Sequence, residues 1–542
     1  MDCLVALDGV LYLSVGFFIA YFLALSVYRI HLSPISQFPG PKLAAWTFWY
    51  EFYFDVYLQG KYAWKIQGLH RKYGPIVRIN PEELHIDDAG FYDKIYTGNR
   101  RTNKWHWSAK MFGQVGSTKT AAVGTTDHDM HRLRRAALNP FFSKQSVGHL
   151  EDTIQLSIDR LCFRLACFAD SGMPVNLSDA FTAVSGDVIS SYTFGKSYNL
   201  VEQDGFAPEW RKLMLVCLHV FPLTYLTRWL QDLSRNTHLM KQFGWAYVVL
   251  TSIPQALVAF FHPLSRALFE LRNGISNQVD TIKKIDSNFK SQSRSTIFHG
   301  LLYSSLPESE KGTLRLTDEG LTIIGAGTVT TAHTLAVIFF HLLSEPKIFS
   351  KLQEELTSAS QRKTTLHWDH LSNLPYLSAI VSEGLRLSFG VSHRLQRISP
   401  HVPLQYKDWT IPAGVPVSMT QMFIMQDPSI FPRPKEFIPE RWLEPRHRGD
   451  QFRDYGFPEP RLAKKFLVPF SRGLRACLGV NLAYAEIFLT IGTLMRPGGL
   501  GFELFETDTT DMETVHDFFN PSPRLDSQGL RVRVKRSEAR SG

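Results

Sequence analysis

Phe470-Ser471-Arg472-Gly473-Leu474-Arg475-Ala476-Cys477-Leu478-Gly479 decides how this chain reads. Gly473 permits a tight turn, and Gly479, just past the cysteine, is expected to let another backbone come close. The apolar run Leu478 to Met495 predicts a long helix. Cys477 therefore falls at a helix N-terminus, where unpaired N–H groups and the positive helix end favour a thiolate. A buried cysteine alone is usually structural.

Three more patterns lie upstream. Glu383-Gly384-Leu385-Arg386 sets a carboxylate and a guanidinium three apart on one helix face. Pro434-Lys435-Glu436-Phe437-Ile438-Pro439-Glu440-Arg441-Trp442 follows it, and His131-Arg132-Leu133-Arg134-Arg135 precedes it. Between them, Leu321 to Leu343 carries no Asp, Glu, Lys or Arg but holds Gly325, Gly327, Thr328, Thr330, Thr331, His333 and Thr334. Its length would span a membrane. Its small and polar residues fit better in a helix buried through the middle of a protein, with Thr317 capping its start and Asp318 and Glu319 in its first turn.

Together, in order and spacing, these patterns resemble the cytochrome P450 family over roughly Phe38 to Val534. The match is most similar to fungal, microsomal members, including the trichodiene-oxygenase-like group, along Asp127-His128-Asp129-Met130-His131 through Leu138-Asn139-Pro140-Phe141-Phe142-Ser143. The resemblance implies haem (iron protoporphyrin IX) with Cys477 as the axial thiolate, a ligand that pushes electron density into an O–O bond. It implies that Phe470, Gly479, His131, Arg135, Arg397 and Arg475 hold the cofactor, the arginines by pairing with its carboxylates. It implies a buried network of Glu383, Arg386 and Arg441 that supports the cysteine loop. Ala326-Gly327-Thr328-Val329-Thr330-Thr331 resembles the oxygen-binding motif, with Thr330 and Thr331 as catalytic hydroxyls. The family usually has Asp or Glu where this chain has Val329, which cannot carry a proton.

The function so implied is insertion of one atom of dioxygen into a small lipophilic substrate, by hydroxylation or epoxidation, in fungal terpenoid or polyketide biosynthesis. Val329 keeps open a haem-thiolate isomerase or dehydratase that needs no dioxygen. A non-catalytic haem-binding protein is a more distant alternative. By family position the pocket should draw on residues 105–123, 206–229, 328–332 and 389–393; His393 reads first as a satisfied core histidine, with a polar contact near the haem as the alternative. No flavin- or nicotinamide-binding segment is visible, so NADPH electrons are expected through a separate cytochrome P450 reductase, with cytochrome b5 a further partner.

The rest of the chain sets the architecture. Gly9 to Tyr28 is uncharged and about twenty residues long, enough for one transmembrane helix. Asp2 and Asp8 precede it and Arg29, His31 and Lys42 follow, which by the positive-inside rule puts the body in the cytoplasm. A cleaved signal peptide is the rival reading, disfavoured by the acidic start and the long run; the resemblance to microsomal members implies the endoplasmic reticulum membrane. We expect an anchor over 1–30, a Pro-rich linker over 31–45 around Phe38-Pro39-Gly40-Pro41, and one catalytic domain over 46–542. Its fold class is mainly α with a small β subdomain. Leu150 to Phe168, Leu335 to Leu356 and Tyr376 to Leu387 read as amphipathic helices, and Ile76 to Ile79, His401 to Gln405 and Leu530 to Val534 as strands.

A hydrophobic content of 44% supports a sizeable core. The net charge of +9 is scattered, without a nucleic-acid-binding motif. Its densest run, Arg531, Arg533, Lys535 and Arg536, reads as a solvated terminus. The five cysteines, Cys3, Cys162, Cys167, Cys217 and Cys477, form no disulfide framework and fit a reducing compartment. The loop Arg496-Pro497-Gly498-Gly499-Leu500-Gly501 has no role assignable from sequence.

Overall fold

A computed structural model of the chain describes residues 2–97, 100–108, 120–218, 263–288, 296–362 and 367–536. Its principal helices are α1 (Asp2–Val27), α2 (His128–Leu138), α3 (Glu151–Ser171), α4 (Leu177–Phe194), α5 (Pro263–Asn288), α6 (Thr313–Ser344), α7 (Pro375–Ser388) and α8 (Val480–Leu494). Helix α6 runs through the centre. The apolar side chains of α3, α4, α7 and α8 close around it, and Leu335, Ile338 and Phe339 are buried at its middle. Phe181 of α4 meets Phe339 edge to face, with ring centres 4.8 Å apart. Gly327 lies where α6 crosses α4: a β-carbon there would press on Ile189, so only glycine keeps the two helices this close.

Two sequence expectations about these helices need correction. Thr317 is not the cap of α6. The helix begins a turn earlier, after Gly312, and Thr317, Asp318 and Glu319 are buried inside it. The stretch Leu335 to Leu356 is not one helix either. Helix α6 stops at Ser344 and a second helix, Pro346–Arg362, starts at a proline. Proline suits a first helical turn but cannot extend the helix before it.

The sheets are small. Ile76–Arg78, Leu84–Ile86, Pro416–Ser418 and Arg397–Ile398 form a four-stranded sheet over a second apolar core. Phe38 packs against Trp409 in a tilted ring pair with centroids 5.0 Å apart, and the Arg78 N–H donates to the Pro39 carbonyl at 2.7 Å, so the Phe38–Pro41 segment is docked on this sheet. Arg531–Arg536 is an ordered strand rather than a frayed terminus. Val532 and Val534 point inward, while Lys535 and Arg536 pair with Glu503 and Asp170 at 2.6 Å. The turn at Arg496–Gly501 explains itself here. Gly498 takes a positive φ of 74°, and the chain then enters Leu500–Leu504, which pairs antiparallel with that last strand.

The N-terminal α1 presents its apolar side chains outward: Tyr12, Leu13 and Phe17 are all exposed. Residues Tyr12–Leu32 have a mean hydropathy of 1.8. The far end of α1 is tied to the body through Ser26 and Arg29, which bond the Trp46 indole N–H at 2.6 Å and the Trp46 carbonyl at 2.9 Å.

Candidate active site

A cavity of about 370 Å³ lies between α6 and the cysteine loop. Ala326, Gly327, Thr330 and Thr331 face it from one side, and Phe470, Cys477 and Gly479 from the other. Its volume falls in the range of small-molecule sites.

The loop is shaped by its own backbone. The Cys477 N–H donates to the Phe470 carbonyl at 2.8 Å, and the Ala476 N–H to the Gly473 carbonyl at 3.0 Å. Gly473 adopts φ +70°, and a side chain there would overlap the Tyr96 carbonyl. At Gly479 the expected close backbone is not found. Among the described residues, its chain neighbours aside, no atom lies within 4 Å of where its β-carbon would be, and the residue lines the cavity. Helix α8 starts at Val480, so Cys477 stands just ahead of its N-terminus. Cys477 has accessible surface and lines the cavity, with many protein atoms around its thiol. Burial pushes its pKa up, against the Gly479 N–H and the Arg135 guanidinium.

Glu383, Arg386 and Arg441 come together as expected. Arg386 makes a two-point ion pair with Glu383, both contacts 2.8 Å, and Arg441 Nε adds a third at 2.9 Å. Two further donors to Glu383 were not legible in the motif: the Trp442 indole and the Ile438 N–H, each at 2.9 Å. The spare N–H groups of Arg386 go to the carbonyls of Met425, Pro434 and Glu436. Burial alone would raise the Glu383 pKa, but the Arg386 and Arg441 charges hold it down at about 2.

The basic residues also converge. His131, Arg135, Arg397 and Arg475 all face the cavity, together with Lys104, which sequence reasoning missed. Arg475 donates to the carbonyls of Thr125 and Thr126 at 2.8 and 2.9 Å. Arg135 donates to the Ala476 carbonyl at 2.7 Å, tying α2 to the cysteine loop. Burial and the like charge of Arg397 lower Arg475 to about 9. Burial, then Arg475, Lys104, Arg135 and Arg397, lower His131 to about 2, so it is a neutral imidazole. Such crowding of cations around one wall is relieved by a ligand that brings carboxylates.

Haem fits these residues: an accessible thiol, small residues on the facing helix, and a cationic wall for its propionates. When bound, a haem-thiolate supplies the electron push that cleaves dioxygen.

On α6 the Thr330 hydroxyl donates to the Ala326 carbonyl at 2.9 Å without breaking the helix. Thr331 is buried and also faces the cavity. Val329 does not; it lies in the main apolar core. Valine is the residue this position accommodates. Val329→Glu should lower stability by about 3 kcal/mol or more through an uncompensated buried carboxyl, read as a drop in the holoenzyme's thermal midpoint with no gain in product formed per NADPH. A variant of unchanged midpoint would show that position 329 reaches water.

The pocket expectation holds in part. Ser108, Ala122 and Val123 line the cavity, as do Gly390, Val391 and His393. Residues 109–119 and 219–229 lie outside the described residues. Within 206–218, Phe206, Leu213 and Met214 pack into the core instead. His393 bonds Asp517 Oδ2 through Nδ1 at 3.1 Å. Glu486, the only charged residue between Leu478 and Met495, also lines the cavity; burial raises it to about 8, and the Ser185 hydroxyl donates to it at 2.8 Å. A lone acid in an apolar helix was the signal available for it.

The cytochrome P450 family model matches residues 39–523. The chain belongs to the cytochrome P450 family. Among fungal relatives of this P450, a tryptophan 6-hydroxylase of Fusarium equiseti is 40% identical over 99% of this chain and 98% of its own length. An N-acetyltryptophan 6-hydroxylase of Emericella nidulans is 42% identical over 95% of both chains. A cytochrome P450 monooxygenase of Aspergillus clavatus is 40% identical over 96% of both. The enzyme is thus a fungal P450 monooxygenase of secondary metabolism, mainly helical with small sheets, with a haem-thiolate cofactor, electrons from a reductase partner and a lipophilic substrate.

Proposed function

We propose that Cys477 ligates the haem iron, that His131, Arg135, Arg397 and Arg475 receive the propionates, and that Phe470 and Gly479 bracket the thiolate face. Thr330 and Thr331 hold and move protons on the opposite side. The observation that carries this reading is the Cys477 thiol facing Thr330 and Thr331 in one cavity, with the cations gathered on its wall. Glu383, Arg386 and Arg441 keep the support of the loop rigid. With Val329 in the core, the two threonine hydroxyls are the groups on α6 that serve proton delivery.

Residues 1–30 form the anchor, 31–45 the connecting segment and 46–542 the catalytic body. The exposed apolar surface of α1 supports a single span in the endoplasmic reticulum membrane. The basic residues after it support a cytoplasmic body, which would meet NADPH–cytochrome P450 reductase and cytochrome b5 at the same membrane. The reaction is hydroxylation, and the substrates named for two relatives, tryptophan and N-acetyltryptophan, are the first to try beside terpenoids and polyketides. With purified reductase and isotopically labelled dioxygen, product should carry the label and require NADPH. Product formed without NADPH and carrying no label would favour an isomerase or dehydratase.

A further inference from the structure

We infer that Asp318 is a positioning residue that couples two walls of the cavity, so that a bulky ligand enters and leaves only as its carboxylate lets go of one of them. This rests on the monooxygenase reading of the cavity and concerns access to it. Asp318 is only 2% exposed, in the second turn of α6. Its two oxygens go to different parts of the chain. Oδ2 accepts the Thr120 N–H at 3.2 Å and the Thr120 hydroxyl at 2.5 Å. Oδ1 accepts Arg272 Nη2, from α5, at 3.0 Å.

Each partner belongs to a stretch that borders the cavity. Ala122 and Val123 follow Thr120 and line it. Leu268 lines it from α5, one turn before Arg272 and on the same side of that helix. The strap 120–123 is held at two further points. Glu319 Oε2 accepts the Ala122 N–H at 3.1 Å, and Lys104 Nζ donates to the Val123 carbonyl at 2.6 Å. Glu319 is itself paired with Arg315 at 2.8 Å. Of these three holds, the one at Asp318 also bonds α5.

Hydrogen bonds to an ionised carboxylate are among the strong ones. A buried carboxylate that loses one partner depends more on those that remain, because its charge is then less compensated. Arg272 and Thr120 therefore hold each other's partner in place. Two walls bonded through one carboxylate yield together, which gives the cavity a single catch rather than two independent ones. Such coupling is measured as the failure of two substitutions to act independently.

The test follows clotrimazole, a bulky azole, binding to the haem-loaded full chain by stopped-flow absorbance. Wild type, Arg272→Gln, Thr120→Val and the double variant are compared. Arg272→Gln should raise the association and dissociation rates together, by about fivefold or more. Its Kd should stay within about twofold, since the catch is passed in both directions. Thr120→Val should act in the same sense. The double variant should gain much less than the product of the two single effects. Imidazole, too small to need the walls apart, should bind at nearly the wild-type rate in every variant. Arg211→Gln is the control, because it breaks a half-buried pair elsewhere, with Asp179 at 3.4 Å.

Unchanged clotrimazole rates overturn the idea, as does a double variant equal to the product of the singles. Equal acceleration of imidazole also overturns it, by placing the change at the haem. So does equal acceleration in Arg211→Gln, which would make the effect a general loosening of the fold. Failure of the monooxygenase reading shows separately, in the carbon monoxide spectrum of the wild type.

Discussion

Glu383→Ala should yield protein that no longer retains haem, with haem content per chain down by more than about tenfold. Glu383 is completely buried and accepts five hydrogen bonds, from Arg386 Nε and Nη2, Arg441 Nε, the Trp442 indole and the Ile438 N–H. Removing it strands two guanidinium groups in the interior. Breaking a buried pair from one side costs about 3–5 kcal/mol, a large part of the roughly 5–15 kcal/mol that holds a domain folded. The same segment, Ile438 to Trp442, would lose its tie to α7. Haem content by pyridine haemochrome and thermal unfolding check this; full haem and an unchanged midpoint would refute the role given to the network.

The sign of the pH dependence follows. The folded pKa, about 2, lies below the ordinary carboxylate range. Glu383 therefore stabilises the fold fully above that range, and the contribution is lost as pH falls through it towards 2. Wild type should lose stability through this window, more steeply than Glu383→Gln.

Gly473→Ala should be nearly as damaging despite adding one methyl. The residue sits at φ +70°, where an L side chain is strained by about 1–2 kcal/mol. The added carbon would also overlap the Tyr96 carbonyl, a backbone atom that cannot rotate aside. The loop would have to shift, and with it the Cys477 N–H bond to Phe470 that fixes the thiol. Reduced haem occupancy with a disturbed Soret band is the expected result. Gly68→Ala is the control. Gly68 lies within the helix Tyr62–Tyr73 with no atom near its β-position, so alanine there should stabilise by up to about 1 kcal/mol. Equal behaviour of the two variants would remove the special status of Gly473.

The parts of the site legible in the sequence are those whose chemistry sits at short spacing. Cys477 with its glycines, Glu383 with Arg386, and Thr330 in the uncharged stretch Leu321 to Leu343 each form a local pattern. Arg441 entered only through the resemblance, although the structure ties it directly to Glu383. What stayed hidden depends on distant chain segments meeting. Trp442 is an ordinary aromatic until α7 brings Glu383 against it. Lys104 joins that wall by tertiary placement, where burial and the charges of Arg397 and Arg475 push its pKa down. The C-terminal stretch was legible as a strand over Leu530 to Val534, and only the reading of its charges as a solvated terminus failed. Val532 and Val534 face the core at strand spacing, and their charged neighbours find partners on α3 and the adjacent strand. The start of α6 misled for a related reason: Thr317, Asp318 and Glu319 form a good capping sequence, but tertiary packing carries the helix past it.

The central claim is that Cys477 is the iron ligand, and the carbon monoxide spectrum of the reduced protein tests it most directly. Wild type should show the strongly red-shifted Soret band of a thiolate-ligated haem, and Cys477→His should lose it while retaining haem. A wild-type band typical of histidine ligation, or a thiolate band that survives in Cys477→His, would contradict the account.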